Sequence, residues 1–82
     1  MAQDQPISGQ RPEPMNDVTY DLVTVLSNCA EAVNALDDYI EDAKQSNDRD
    51  VQNLFEQIRQ DEIRHCEMAK KLIDNLVRQG KF

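Results

Sequence analysis

Residues 15–79 read MNDVTYDLVTVLSNCAEAVNALDDYIEDAKQSNDRDVQNLFEQIRQDEIRHCEMAKKLIDNLVRQ, with no glycine and no proline. A stretch of that length lacking both breakers favours helix almost throughout. One interruption shows inside it. Ser46-Asn47-Asp48 are three residues whose side chains bond to nearby backbone and so favour turns and caps. Two helices flank it, helix 1 over about 16–45 and helix 2 over about 48–79. On helix 1 the apolar residues Val18, Leu22, Val25, Leu26, Cys29, Val33, Leu36, Tyr39, Ile40 and Ala43 recur at alternating spacings of three and four. On helix 2 the stripe is Val51, Leu54, Phe55, Ile58, Cys66, Ala69, Leu72, Ile73, Leu76 and Val77. Asn16 or Asp17 can cap the first helix and Asp48 the second, and Gly80 stands where a helix C-terminus favours it. The short turn makes the helices antiparallel neighbours. The expected fold is all-α, an antiparallel two-helix hairpin.

The 82 residues amount to one domain at most. A single hairpin cannot bury both apolar edges of its helices, and chains this short are commonly completed by a metal, a staple or a partner. Pairing with a second copy into a four-helix bundle is therefore expected. Residues 1–15 hold three prolines and one glycine, with Ile7 as the one branched aliphatic residue, and read as a disordered tail.

The net charge of -7 argues against nucleic acid and anionic membranes as partners and suits attraction of cations. Residues 16–47 hold seven acids against Lys44, whereas 48–82 hold seven of each sign. A solvated helix face accounts for such a bias without a ligand. The N-terminus has no apolar signal core, and no apolar run reaches the roughly 20 residues of a membrane span. Two cysteines without an export signal point to free thiols in the cytoplasm.

The stripe of helix 2 breaks between Ile58 and Ala69. At 100° per residue from Val51, Ile58 falls at about 340° and Ala69 at about 0°. Glu62 falls between them at about 20°, His65 at about 320° and Cys66 at about 60°. A carboxylate amid apolar neighbours costs several kcal/mol unless something offsets it. A metal ion is one answer, because Glu and His at i and i+3 stand one above the other on a helix. Oxygen and imidazole donors suit iron, manganese or zinc. Another answer is a buried pair of Glu62 with His65, Arg59 or Arg64 that fixes the register of an interface. Counting outward from the turn, Glu62 faces Ala32 and His65 faces Cys29. Cys29, Cys66, Glu62 and His65 together would favour zinc. Both cysteines also read as small apolar residues.

Tyr39, Ser46 and Asp48 at the turn, Arg59, Asp61-Glu62-x-x-His65 and Met68 together resemble the encapsulated ferritins, two-helix members of the ferritin-like superfamily. The resemblance spans roughly residues 18–78. It implies a hairpin that pairs into a four-helix ferritin fold, with a di-iron ferroxidase centre between copies and an encapsulin shell around the assembly. It makes Glu62 and His65 the catalytic iron ligands. It makes Tyr39 the tyrosine beside the centre, and Glu31, Asn34 and Asp38 an outer cation-entrance site. The helix-1 glutamate of the family falls at Ala32, with Glu31 adjacent, and one metal per pair of hairpins is then the simpler stoichiometry. The family's C-terminal shell-targeting extension has no counterpart before Phe82. Three readings follow: a di-iron protein that oxidises ferrous iron, a metal-binding module without turnover, and a structural dimerisation module.

Overall fold

The computed structural model describes residues 16–82. The expected tail, residues 1–15, lies outside them. Two helices make up the fold, α1 (Asp17–Gln45) and α2 (Arg49–Arg78), packed against each other along their length. At 1.5 Å per residue each is about 45 Å long. Among the described residues no helix is long and apolar enough to cross a membrane.

Each helix starts on the expected cap. The Asn16 side chain accepts a hydrogen bond from the Val18 amide at 3.0 Å, and Asp48 accepts one from Val51 at 3.1 Å. These bonds satisfy amides that an α-helix leaves unpaired at its start. Asp17 and Asp50 in the first turns and Lys44 and Arg78 in the last turns complement the helix dipoles.

Both helices end in the same way. After α1 the Asp48 amide bonds the Ala43 carbonyl at 3.0 Å and the Asn47 amide bonds Lys44 at 3.1 Å, with Asn47 at φ 56°. After α2 the Lys81 amide bonds Leu76 at 2.8 Å and the Gly80 amide bonds Val77 at 3.0 Å, with Gly80 at φ 71°. Each is a Schellman motif, in which one left-handed residue reverses the chain and satisfies the last carbonyls. Asparagine and glycine are the residues that reach that region at least strain. The second motif turns Lys81 back over the start of α1. There the Thr19 hydroxyl donates to the Lys81 carbonyl at 2.9 Å.

Thr19 has no exposed surface, so a hydrogen-bonded threonine closes the open end of the hairpin. Cys29, Leu36, Ile40 and Ala43 are buried on α1 and Ala69 on α2. Phe55, Ile58, Cys66, Ile73 and Leu76 are half-buried. Leu22, Leu26 and Val33 on α1 are half-buried as well. Val25, Tyr39, Leu54, Met68 and Leu72 are 47–57% exposed.

Those five residues share one flank, whereas Val77, 51% exposed, falls at about 80° on the other. Taking Leu36 as zero on α1, Val25 falls at about 340° and Tyr39 at about 300°. From Val51 on α2, Leu54 and Leu72 fall at about 300° and Met68 at about 260°. In an antiparallel pair, equal angles lie on the same side. The opposite flank confirms this geometry, since Asp37 (about 100°) and Arg59 (about 80°) meet there in an ion pair at 2.6 Å. The ion pair therefore lies on the flank opposite Val25, Tyr39, Leu54, Met68 and Leu72.

Candidate metal centre

Midway along the hairpin, three donor side chains from two helices converge. The Cys29 sulfur, a Glu62 carboxylate oxygen and a His65 ring nitrogen all lie within 4.8 Å of one another. Among the described residues this is the group of three potential metal donors that comes so close. Two geometric rules assemble it. Helical spacing of three stacks Glu62 beside His65, with Oε1 and Nδ1 3.3 Å apart. Register counted from the turn places Cys29 opposite His65.

The surroundings differ for each donor. Cys29 is buried in the helix–helix seam at 8% exposure, Glu62 is half-buried and His65 is exposed. The His65 side chain keeps 55% of its surface and that of Glu62 keeps 29%. The expectation that both occupy the buried face is met in part only. His65 falls on the uncovered apolar flank, because the partner helix covers one side of α2 and nothing in a single hairpin covers the other. Burial pushes the Cys29 thiol above the ordinary cysteine range, and the neighbouring Cys66 and Glu62 add to the rise. The Glu62 carboxylate and the Cys66 thiol are its neighbours. The protonated form is favoured while no cation is present.

A tetrahedral ion with ligands at about 2.0–2.3 Å holds its donors roughly 3.4–3.8 Å apart. Three donors within 4.8 Å reach that spacing by small side-chain rotations. One thiolate, one imidazole and one carboxylate is a donor set typical of zinc, with a fourth position left over. Iron and manganese accept the imidazole and carboxylate readily and the thiolate less so.

The other expected site residues lie elsewhere. Cys66 neighbours Cys29 but stays outside the group of three donors. Glu31, Asn34 and Asp38 are exposed and outside it too. Ala32, half-buried at the level of Glu62, offers no ligand atom. Tyr39 lies seven residues nearer the turn than Ala32, about 10 Å along the axis. Its ring packs on Phe55 at 5.9 Å between centroids, in an open cleft with Asp42, Ser46, Asp48 and Val51. Within one hairpin it does not flank the donors. Neither arginine pairs with Glu62. Arg59 goes to Asp37, and Arg64 goes to Asp61 at 2.7 Å.

No protein-family model, curated protein or solved structure matches the chain. The resemblance to encapsulated ferritins therefore rests on the residues quoted for it alone.

Proposed function

We propose that this chain is a metal-binding helical hairpin that works as a pair of copies, each holding a divalent transition-metal ion between Cys29, Glu62 and His65. The observation that carries this reading is the convergence of three chemically different donors from two helices within 4.8 Å. It answers the question raised by Glu62, since a cation offsets a carboxylate placed in an apolar stripe. The thiolate favours zinc.

Pairing has separate support. Val25, Tyr39, Leu54, Met68 and Leu72 leave on the order of 500 Å² of apolar surface on one flank, as much as the largest patch of a typical monomer. A second hairpin set against that flank makes a four-helix bundle with this surface inside. His65 opens onto the same flank, so the exposed side of each metal site faces the partner copy.

The second reading is ferritin-like: two copies share a centre that oxidises ferrous iron, inside an encapsulin shell. The Glu62–His65 pair at 3.3 Å on α2 favours it. A thiol at that level of α1, in place of a carboxylate, favours the zinc reading.

Native mass spectrometry of the chelator-stripped full chain, titrated with Zn(II) and anaerobically with Fe(II), tests both. The zinc reading expects a dimer with one zinc per copy. A dimer that ignores zinc and takes up two irons, then oxidises them in air faster than free iron, supports the ferritin-like reading. A monomer without affinity for either ion rejects both.

A further inference from the structure

We propose that Cys66 makes this metal site redox-sensitive: it forms a disulfide with Cys29, and the bond withdraws the thiolate donor. This inference rests on the metal reading above. Both cysteines are free thiols, one from each helix. Cys29 is the buried donor and Cys66 is half-buried beside it. Cys66 follows His65 directly, so counting from the turn sets it at the level of Cys29. At about 60° it lies on the edge of α2 that faces α1. Helix axes 8–10 Å apart, less two Cα radii of about 2.3 Å, leave about 3.4–5.4 Å between directly facing Cα atoms and somewhat more at the edge of the seam. Disulfides use spans of about 4.4–6.8 Å.

Two observations separate Cys66 from the ligands. It neighbours the Cys29 sulfur, yet it stands outside the set of donors that converge on one point. A thiol neighbouring a metal-binding thiol, but outside the donor cluster, is placed to react with that thiol. A peroxide is the class of oxidant the step needs. The more exposed Cys66 sulfur attacks one peroxide oxygen, the O–O bond breaks, and Cys66 becomes a sulfenic acid with release of water. The Cys29 thiolate then attacks the Cys66 sulfur, the S–O bond breaks, and the leaving hydroxide takes a proton from solvent to become a second water. The two sulfurs have lost two electrons, and one peroxide, with the Cys66 proton and one from solvent, has become two waters. A thiolate is a zinc ligand and a disulfide sulfur is a poor one, so the metal keeps only Glu62 and His65. A thiol reductant reverses the change.

The test uses the reduced full chain loaded with Zn(II) and treated with hydrogen peroxide. Zinc release is followed with a chromophoric indicator and the protein by intact mass and peptide mapping. The expected result is a 29–66 disulfide, loss of two hydrogens per chain, at least tenfold weaker zinc binding, and recovery with dithiothreitol. Cys66→Ser and Cys66→Ala, each checked for helicity by circular dichroism, should bind zinc within about twofold of the parent and release it at least tenfold more slowly under peroxide. Zinc that stays bound after the disulfide has formed, or release from both variants at the parental rate, overturns the inference and leaves the metal reading standing. Failure of the reduced protein to bind zinc overturns the metal reading and the inference with it, whatever the mass shows.

Discussion

Replacing Leu72 by glutamate removes an apolar side chain that a single hairpin leaves 51% exposed. Fully burying a leucine contributes roughly 1.5–3 kcal/mol, so the exposed half leaves about 1–1.5 kcal/mol per copy to be gained on pairing. Two copies lose about 2–3 kcal/mol per dimer. The two carboxylates brought into an apolar seam add a penalty of several kcal/mol unless they take up protons. A net loss of at least about 4 kcal/mol weakens dimerisation roughly a thousandfold. Within the hairpin the same change has little to disturb. Glutamate is a good helix former, and an exposed substitution usually stays within about 0.5 kcal/mol. The assay is sedimentation equilibrium of parent and variant across a wide range of concentrations, with circular dichroism at matched concentrations. The parent should be dimeric where Leu72→Glu is monomeric, and both should be helical. A parent that is monomeric at every concentration refutes the pairing argument, as does a variant with the parental dimer constant.

Zinc at about a hundred times its dissociation constant should stabilise the fold by about 2.7 kcal/mol, which raises Tm by roughly 10–20 °C. Cys29→Ala, Glu62→Gln and His65→Ala should each remove most of that rise in a thermal-shift titration, and a rise that survives all three places the metal elsewhere. Thr19→Val keeps the side-chain shape but loses the 2.9 Å bond to the Lys81 carbonyl, so it should cost about 1 kcal/mol and lower Tm by roughly 4–8 °C. An unchanged Tm would show that the clasp contributes nothing. Asn47→Ala puts a Cβ without local hydrogen bonding at φ 56° and should cost about 1 kcal/mol, whereas Asn47→Gly should not; urea midpoints that rank them the other way contradict the turn geometry. The raised thiol of Cys29 should contribute to the alkaline decline in stability of the metal-free protein. Above the ordinary thiol range, roughly pH 8.5, the unfolded chain loses this proton while the folded chain keeps it, so stability falls as pH rises through the folded value. Chelator-treated Cys29→Ala should lose that part of the decline, and an identical alkaline slope in parent and variant assigns it to another group.

Much of the hairpin is legible in the sequence because it depends on local rules. Asn16 and Asp48 cap as their chemistry demands, and the turn falls at Ser46-Asn47-Asp48 because little else between residues 15 and 79 reverses a chain. The level of Cys29 against His65 follows from counting, since an antiparallel pair joined by a short turn has one register. Thr19 escaped for the opposite reason. A threonine on a helix carries no signal of burial until the carbonyl it serves is known, and that carbonyl belongs to Lys81, 62 residues away. The arginines are a similar case. Arg59 and Arg64 both lie within reach of Glu62 in sequence, but Asp37 across the seam and Asp61 three residues before Arg64 claim them.

The exposure of His65 follows from a property of the stripe that no periodicity can resolve. A helix with neighbours on two sides and a helix with one broad neighbour both show apolar residues spread over more than a third of the circumference. On α2 the edge toward Cys66 and Ile73 is taken by α1, and the edge toward Leu54 and Leu72 is left open. Glu62 sits near the boundary between the two, and that position limits what can offset its charge. Arg59 and Arg64 are committed elsewhere, so within the hairpin its neighbours are the Cys29 thiol and the His65 ring. A cation between the three offers the carboxylate direct charge compensation. Covering the apolar flank with a second hairpin deepens the need, because Glu62 and His65 would then lose water as well. Pairing and metal binding therefore favour each other, and zinc should tighten the dimer by the same factor by which dimerisation tightens zinc.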